Sequence, residues 1–420
     1  MNVIKRIPKK DMGAFAEIAA AAYPGVLSGA KDEVSLIRKR LLAVAAIDPT
    51  LTYHGYYRKG KLLGGLRLHD FNVCFHSACC PMGGGGMLAV DLAHKKERVA
   101  YDLMLYFLRH YREQGTCLTA LYPFRPDFYV RMGFGYGTKT TEYRIKPGDL
   151  PHGSSKEHLR YLSKSNARQI EACYNRIYRR THGMIQRCRH EVRRLSRVGL
   201  KTIGYVVKGR VEGYVMFEFK KAGKENFVLN DLHIVELVYE HPAAFGELMT
   251  FLYTQFDQVR HIIYSTQDDD FHFVPVDPRN HTDNMLYPEG TVYHECGKSA
   301  VGMMYRVVDV PGVFATLRNH NFGGQSCRVK LTVQDTFLPE NDGSHVIDFK
   351  NGAARLMKKA GKPDFEISLD IADFSSVIMG SVDLLNLYRY GRVNLSDERY
   401  LDVAGRLFYV REKPRCTTQF

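Results

Sequence analysis

Met87-Leu88-Ala89-Val90-Asp91-Leu92-Ala93-His94-Lys95-Lys96-Glu97-Arg98-Val99-Ala100-Tyr101-Asp102-Leu103-Met104-Leu105-Tyr106-Phe107-Leu108 is the stretch that decides the fold. It reads as an apolar strand over Met87–Leu92, a short basic loop, and a helix from about Lys96 to Gln114 whose apolar residues recur at helical spacing. Four glycines, Gly83 to Gly86, lead into the strand. A helix that opens directly after a strand presents unsatisfied backbone N–H groups and the positive end of its dipole, and here Lys95, Lys96 and Arg98 stand at that opening. Donors and cations together suit a pyrophosphate. The plain alternative is a solvated basic first turn. No GxxxxGK[ST] or GxGxxG run is present, which excludes a Walker or dinucleotide loop.

Working outward, the N-terminal side supplies a strand at Val3–Ile7, a helix at Met12–Ala22 capped by Asp11, a second helix from about Glu33 to Ala46, and strands Thr52–Arg58 and Leu62–Cys74 around a Lys59-Gly60-Lys61 turn. On the C-terminal side come a strand at Cys117–Tyr122, a short helix near Asp127–Met132 and a strand pair near Tyr136–Ile145. The aromatic run Phe128-Tyr129-Val130-Arg131-Met132-Gly133-Phe134 follows a strand and so emerges at the end of the sheet. A phenol there can give a proton to a departing thiolate, although most of the 26 tyrosines must simply pack.

The pattern then repeats. Lys59-Gly60-x-x-x-Gly64 has a counterpart in Lys208-Gly209-x-x-x-Gly213, Val90-Asp91-Leu92 in Val235-Glu236-Leu237, and Asp102-Leu103-Met104 in Glu247-Leu248-Met249, in the same order at nearly constant displacement. Where the first copy has its basic loop, the second reads Tyr239-Glu240-His241-Pro242-Ala243, so it is expected to have lost polyanion binding. A third segment starts near Met303, with strands at Val329–Val333, His345–Phe349 and Phe365–Ile371 and helices around Phe374–Met379 and Ser381–Tyr390.

Composition sets outer bounds. At 420 residues, 45% hydrophobic and 25% charged, the chain has room for several packed domains. No apolar run reaches the ~18 residues of a membrane span. Nine cysteines without regular spacing point to a reduced, cytoplasmic protein. The net charge of +14, nearly all before residue 302, permits an anionic partner in the first two-thirds of the chain.

Together the strand–loop–helix unit and the aromatic run resemble the Gcn5-related N-acetyltransferase (GNAT) superfamily. The duplication, the third segment and a tail closing on Thr417-Thr418-Gln419-Phe420 narrow the resemblance to the Eis-like (enhanced intracellular survival) acetyltransferases. That resemblance implies a mixed α/β (α+β) architecture: a catalytic acetyltransferase fold over residues 1–150, a degenerate copy over 151–301, and a sterol-carrier-protein-like α+β domain over 302–420. It implies acetyl-CoA as cosubstrate, no metal, a small-molecule amine acceptor and a homo-oligomer, in the family a hexamer. Leu88 and Val90 would pair with the pantetheine arm. Lys95, Lys96, Arg98, Val99 and Ala100 would line the pyrophosphate loop, where the family's usual glycine is Arg98 and its usual arginines are lysines. Tyr129 would be the general acid and the Phe420 α-carboxylate the general base. The family's acceptors include aminoglycosides, with protein lysines or polyamines as the alternative. An aminoglycoside calls for an acidic pocket, which Gln419 does not supply and for which Asp268-Asp269-Asp270 is the acidic run at hand.

Other clusters carry competing readings. Cys74-x-His76-x-x-Cys79-Cys80 has metal-ligand residue types, but strand alternation turns neighbours to opposite faces. The arginines from Arg176 to Arg197, among them Arg187, Arg189, Arg193 and Arg194, raise a nucleic-acid reading, against a solvated or subunit-facing surface. The third segment could carry a lipid, or serve as a filled scaffold for the tail.

Overall fold

The computed structural model describes residues 2–25, 31–188, 191, 198–223, 226, 228–287, 289–357 and 361–420. The chain forms two compact units: Met1–Gly137 with Gly302–Pro414 and Thr418–Phe420, and Thr138–Val301 with Arg415–Thr417.

In the first unit, strands β1 (Asn2–Arg6), β2 (Leu51–Arg58), β3 (Lys61–Phe75), β4 (Ala78–Val90), β5 (Leu118–Leu121) and β6 (Gly135–Tyr136) alternate with helices α1 (Met12–Ala22), α2 (Lys31–Ile47), α3 (Val99–Glu113) and α4 (Pro126–Val130). The β2–β3 turn works because Lys59 and Gly60 both take positive φ, 50° and 80°, matching the twist of the flanking strands. Strands β1 to β4 are antiparallel neighbours, and β4 pairs in parallel with β5 through the α3 crossover. The sheet order is β1, β2, β3, β4, β5, Met304–Val307, β6. A strand from far along the chain thus lies between β5 and β6, with all four of its residues buried. The Tyr136–Ile145 pair expected from sequence is split: Gly135–Tyr136 joins this sheet and Thr140–Ile145 joins the sheet of the second unit.

The glycine run lies inside β4 rather than before it, and packing explains why. A Cβ on Gly83 would sit 2.3 Å from the Tyr111 ring, one on Gly84 2.2 Å from Phe71, and one on Gly85 3.0 Å from Phe107. Three rings therefore rest directly on the strand backbone. Tyr111 is held there by its hydroxyl, which donates to the His69 carbonyl at 2.7 Å.

The remainder of the first unit is a five-stranded sheet, ordered Ala353–Leu356, Gly343–Lys350, Cys327–Gln334, Phe365–Asp370, Val393–Leu395, with short helices Val310–Thr316, Ile371–Ile378, Leu384–Arg389 and Leu401–Leu407. Phe314, Phe322, Phe349 and Phe374 pack ring against ring in its core. Arg306, on the inserted strand, is fully buried and donates to both carboxylate oxygens of Asp335 at 2.8 Å. Asp335 also accepts from the Leu338 amide and from Asn341 Nδ2. Such a pair stabilises little against an apolar replacement, but removing one partner strands the other charge. Asp335→Ala should therefore lower stability by about 3–5 kcal/mol, read as a fall in the thermal midpoint of the purified protein.

In the second unit the sheet order is Gly297–Ala300, Thr140–Ile145, Val259–Thr266, Asn230–Tyr239, Arg210–Lys221, Lys201–Val207, Leu159–Tyr161. Asn230–Tyr239 and Val259–Thr266 are parallel and joined through helix Pro242–Tyr253, the same crossover that α3 makes in the first unit. No helix among the described residues is long and apolar enough to cross a membrane.

Candidate active site

Strand β5 pairs with β4 only at Gly83–Gly85, so from Gly86 to Val90 the two strands part. On its other side β4 stays paired with β3, with a register shift in which Met87 and Leu88 together oppose Leu66. Met87 takes φ 51°, the left-handed conformation of a bulge residue. The bulge kinks β4 where it leaves β5, and a cavity of about 230 Å³ opens there, bounded by Gly86, Leu88, Tyr122, Phe124 and Tyr129 among others. Leu88 thus lines the cavity, and its carbonyl accepts a hydrogen bond from the Tyr23 hydroxyl at 2.8 Å. Val90 ends the strand opposite Gly64.

Beyond β4, Asp91 accepts from the Ala93 amide and starts a single 3-10 turn, Leu92–His94. Lys96 and Arg98 then adopt φ 63° and 65°. This is the backbone that glycine takes without strain, and a non-glycine residue there costs roughly 1 kcal/mol. The glycine implied by the family resemblance thus stands where the loop still needs left-handed geometry, and Arg98 supplies it with its guanidinium 4.3 Å from the centre of the Tyr101 ring. The first i→i−4 bond of α3 runs from the Asp102 amide to the Arg98 carbonyl, leaving the amides of Val99, Ala100 and Tyr101 at the open end. The Val99 side chain is buried in the core, so only its backbone faces that end. Lys95, Lys96 and Arg98 are exposed, and Glu97 between them is engaged by Arg58 and His94.

Tyr129 is 4% exposed and is ringed edge-on by Phe124, Phe128 and Phe134. Burial pushes its phenol well above the ordinary value of 10.0, with the nearby Tyr23 adding to the shift. The neutral, proton-bearing form is therefore the one favoured in the cleft. Since a raised acid pKa keeps the proton on to higher pH, any rate that depends on protonated Tyr129 should not decline as pH rises through about 10, a plateau that a pH–rate profile checks.

The tail comes back into the same unit. The Phe420 ring packs on Phe71, Tyr122 and His69 at centroid distances of 4.7, 5.2 and 5.6 Å. The Tyr122 hydroxyl donates to the Thr418 carbonyl at 2.9 Å, and Gln419 is exposed. The Phe420 carboxyl carbon lies 3.4 Å from the point a Gly86 Cβ would occupy, and Gly86 lines the cavity that Tyr129 also lines.

Several sequence expectations resolve differently. Asp268 of the acidic run pairs with Arg415 at 3.3 Å within the second unit. Arg187 is buried, paired with Glu236 at 2.7 Å and stacked 3.6 Å above Tyr174, so it is not part of a solvated or nucleic-acid-facing surface, while the partly exposed Arg176 is held by Glu240. Arg189, Arg193 and Arg194 lie outside the described residues. Cys74 and Cys80 are buried, and burial pushes both thiols up to about 12. His76 bonds the Ile378 carbonyl. Among the described residues, only Asp149, Asp277 and His281 bring three potential ligands within 4.8 Å of one another, and Asp277 is already taken by Arg279. In the second unit the strand Asn230–Tyr239 is followed almost at once by helix Pro242–Tyr253, and the Glu240 carboxylate between them binds Arg176 and Arg210. A carboxylate, held by two arginines, stands where the first unit has its basic loop.

A parting of parallel strands, a bulge and a left-handed loop at a helix opening together define an acetyltransferase of the GNAT class. Comparison with known proteins agrees: residues 3–137 and 179–307 match acetyltransferase (GNAT) domain families, and residues 313–417 match a sterol carrier protein domain. The chain carries two GNAT domains and a C-terminal sterol carrier protein domain, and it is an acetyl-transferring enzyme. It is 25% identical over 338 residues to an uncharacterized N-acetyltransferase of Streptomyces avermitilis, covering 75% of this chain and 76% of that one. Its fold matches a GCN5-related N-acetyltransferase from Anabaena variabilis (TM-score 0.80, 18% identity) and Eis1 from Mycobacterium abscessus (TM-score 0.77, 19% identity), each over 100% of both chains. The Eis-like resemblance read from the sequence thus extends to the architecture of all three domains.

The residues sequence reading missed are the Met87–Leu88 bulge, Tyr23, Tyr122 and Arg67. Only Arg67 left a trace, as a lone cation in the apolar run Leu62-Leu63-Gly64-Gly65-Leu66-Arg67-Leu68.

Proposed function

We propose that this protein transfers the acetyl group of acetyl-CoA to a primary amine, with Tyr129 as general acid and the Phe420 α-carboxylate as general base. The observation that carries the reading is that the Phe420 carboxyl carbon lies beside Gly86, and Gly86 and the buried Tyr129 line one cavity at the strand parting. GNAT-fold acetyltransferases use acetyl-CoA. Backbone groups of Leu88 and Val90 would pair with its pantetheine arm. The amides of Arg98, Val99 and Ala100, with the Lys95 and Lys96 ammonium groups, would receive its pyrophosphate.

The chemistry needs positioning and two proton transfers. The amine nitrogen forms a bond to the thioester carbonyl carbon, and the carbon–sulfur bond breaks. The nitrogen's proton passes to the Phe420 carboxylate, directly or through water. The Tyr129 proton passes to the departing sulfur, so the thiol rather than the thiolate leaves. A carboxylate is a weak base in water, with a reference pKa of about 3.5.

An aminoglycoside acceptor would need acidic groups at the acceptor end. The charged groups near Gly86 include Arg67 and Arg40, so the acceptor panel has to span aminoglycosides, polyamines, lysine peptides and amines of other charge. Deleting Phe420, or adding residues after it, should cut turnover at least a hundredfold while acetyl-CoA affinity, read by calorimetry, stays within about threefold. Tyr129→Phe should lower kcat by about tenfold to a thousandfold with little change in cofactor affinity, read by thiol release. Full turnover in a C-terminally extended protein defeats the terminal-base assignment.

A further inference from the structure

Arg67 lies on β3 directly across from Gly86, in the register Arg67↔Gly86. The position of a Gly86 Cβ is 3.2 Å from its Nη2, 3.5 Å from its Nε and 3.4 Å from the Phe420 carboxyl carbon. The guanidinium therefore reaches the same few ångströms of space as the proposed base, at the edge of the cavity. Its Nε and the hydroxyl of Tyr53 are shut off from solvent and make no hydrogen bond of good geometry, although the two side chains interact with each other across the β2–β3 register Tyr53↔Arg67. The two groups are neighbours, since the Arg67 charge acts on the Tyr53 and Tyr23 phenols. Arg40 adds a second positive charge that opposes the first. No ion pair with a carboxylate side chain engages Arg67 among the described residues.

Burying a cation without a counter-charge is expensive, and an unpaired enclosed donor adds to that cost. Arg67 with Tyr53 beside it supplies N–H and O–H donors backed by net positive charge, which is the chemistry of an oxyanion receptor. The terminal carboxylate leaves Nε without a partner even with Phe420 in place. A base locked into a guanidinium pair would in any case lose its basicity. We propose that the acceptor of this site is an amine that also bears a carboxylate, and that Arg67 with Tyr53 binds that carboxylate while the amine is held against Phe420. This rests on the acetyl-transfer reading above and adds the substrate class to it.

The test compares acetylation of glycine, β-alanine, γ-aminobutyrate and lysine with that of their carboxamides, by thiol release from acetyl-CoA. With the native protein, at least one acid should exceed its own amide in kcat/KM by about tenfold to a hundredfold, the worth of one charge-assisted hydrogen-bonded pair. Arg67→Met should abolish that preference by lowering kcat/KM for the acid about tenfold to a hundredfold more than for its amide. Arg67→Lys should restore part of it. An equal loss on acid and amide would place Arg67 with the base or the fold instead and overturn the proposal. So would a native protein indifferent to the carboxylate, a result that does not depend on any variant folding. Absence of thiol release with every amine, despite bound acetyl-CoA, would instead overturn the acetyl-transfer reading itself.

Discussion

The first unit depends on what β4 lacks. Without side chains at Gly83, Gly84 and Gly85, the rings of Tyr111, Phe71 and Phe107 come down onto the strand itself, and no residue with a Cβ could replace those glycines without moving them. Phe71 in turn forms one wall of the seat for the Phe420 ring. The final glycine, Gly86, leaves the gap in which Arg67 and the terminal carboxyl group meet. Glycine inside a strand costs stability through chain entropy. Here that cost yields a strand thin enough for aromatic packing on one stretch and for chemistry on the next.

Much of the local structure was legible in the sequence because local signals specify it. Helix α1 ends as Pro24 and Gly25 require, the β2–β3 turn follows from Lys59-Gly60, and α3 follows from apolar spacing. The location of the basic loop was legible too. Its shape was not: Lys96 and Arg98 take left-handed backbone because the strand-to-helix path demands it, although neither residue type prefers it. The glycine run was read as a lead-in to a strand, since the rings that make it a strand are distant in sequence. The place of Met304–Val307 between β5 and β6 was equally hidden, because periodicity reveals a strand but not its partner. Side chains such as Arg67 and Tyr23 become site residues only through the sheet register and the return of α1.

The two crossovers make an internal control. Both units place a helix after a strand and return in parallel. In one the connection is long, basic and left-handed at two residues. In the other it is short and occupied by Glu240, clamped by Arg176 and Arg210. The same scaffold therefore carries different charges at the helix opening, depending on a few residues there. The buried Arg187–Glu236 pair shows the second copy spending its arginines on its own packing.

The inserted strand has a consequence for how the molecule is made. A ribosome releases β5 and β6 long before it releases Met304–Val307, and until then β5 and β6 lack the neighbour that lies between them. Translation at ~5–20 residues per second holds that gap open for many seconds. During that interval the nascent chain carries unpaired strand edges, the feature that recruits chaperones or invites misassembly. The first domain to be synthesised is thus not the first that can finish folding.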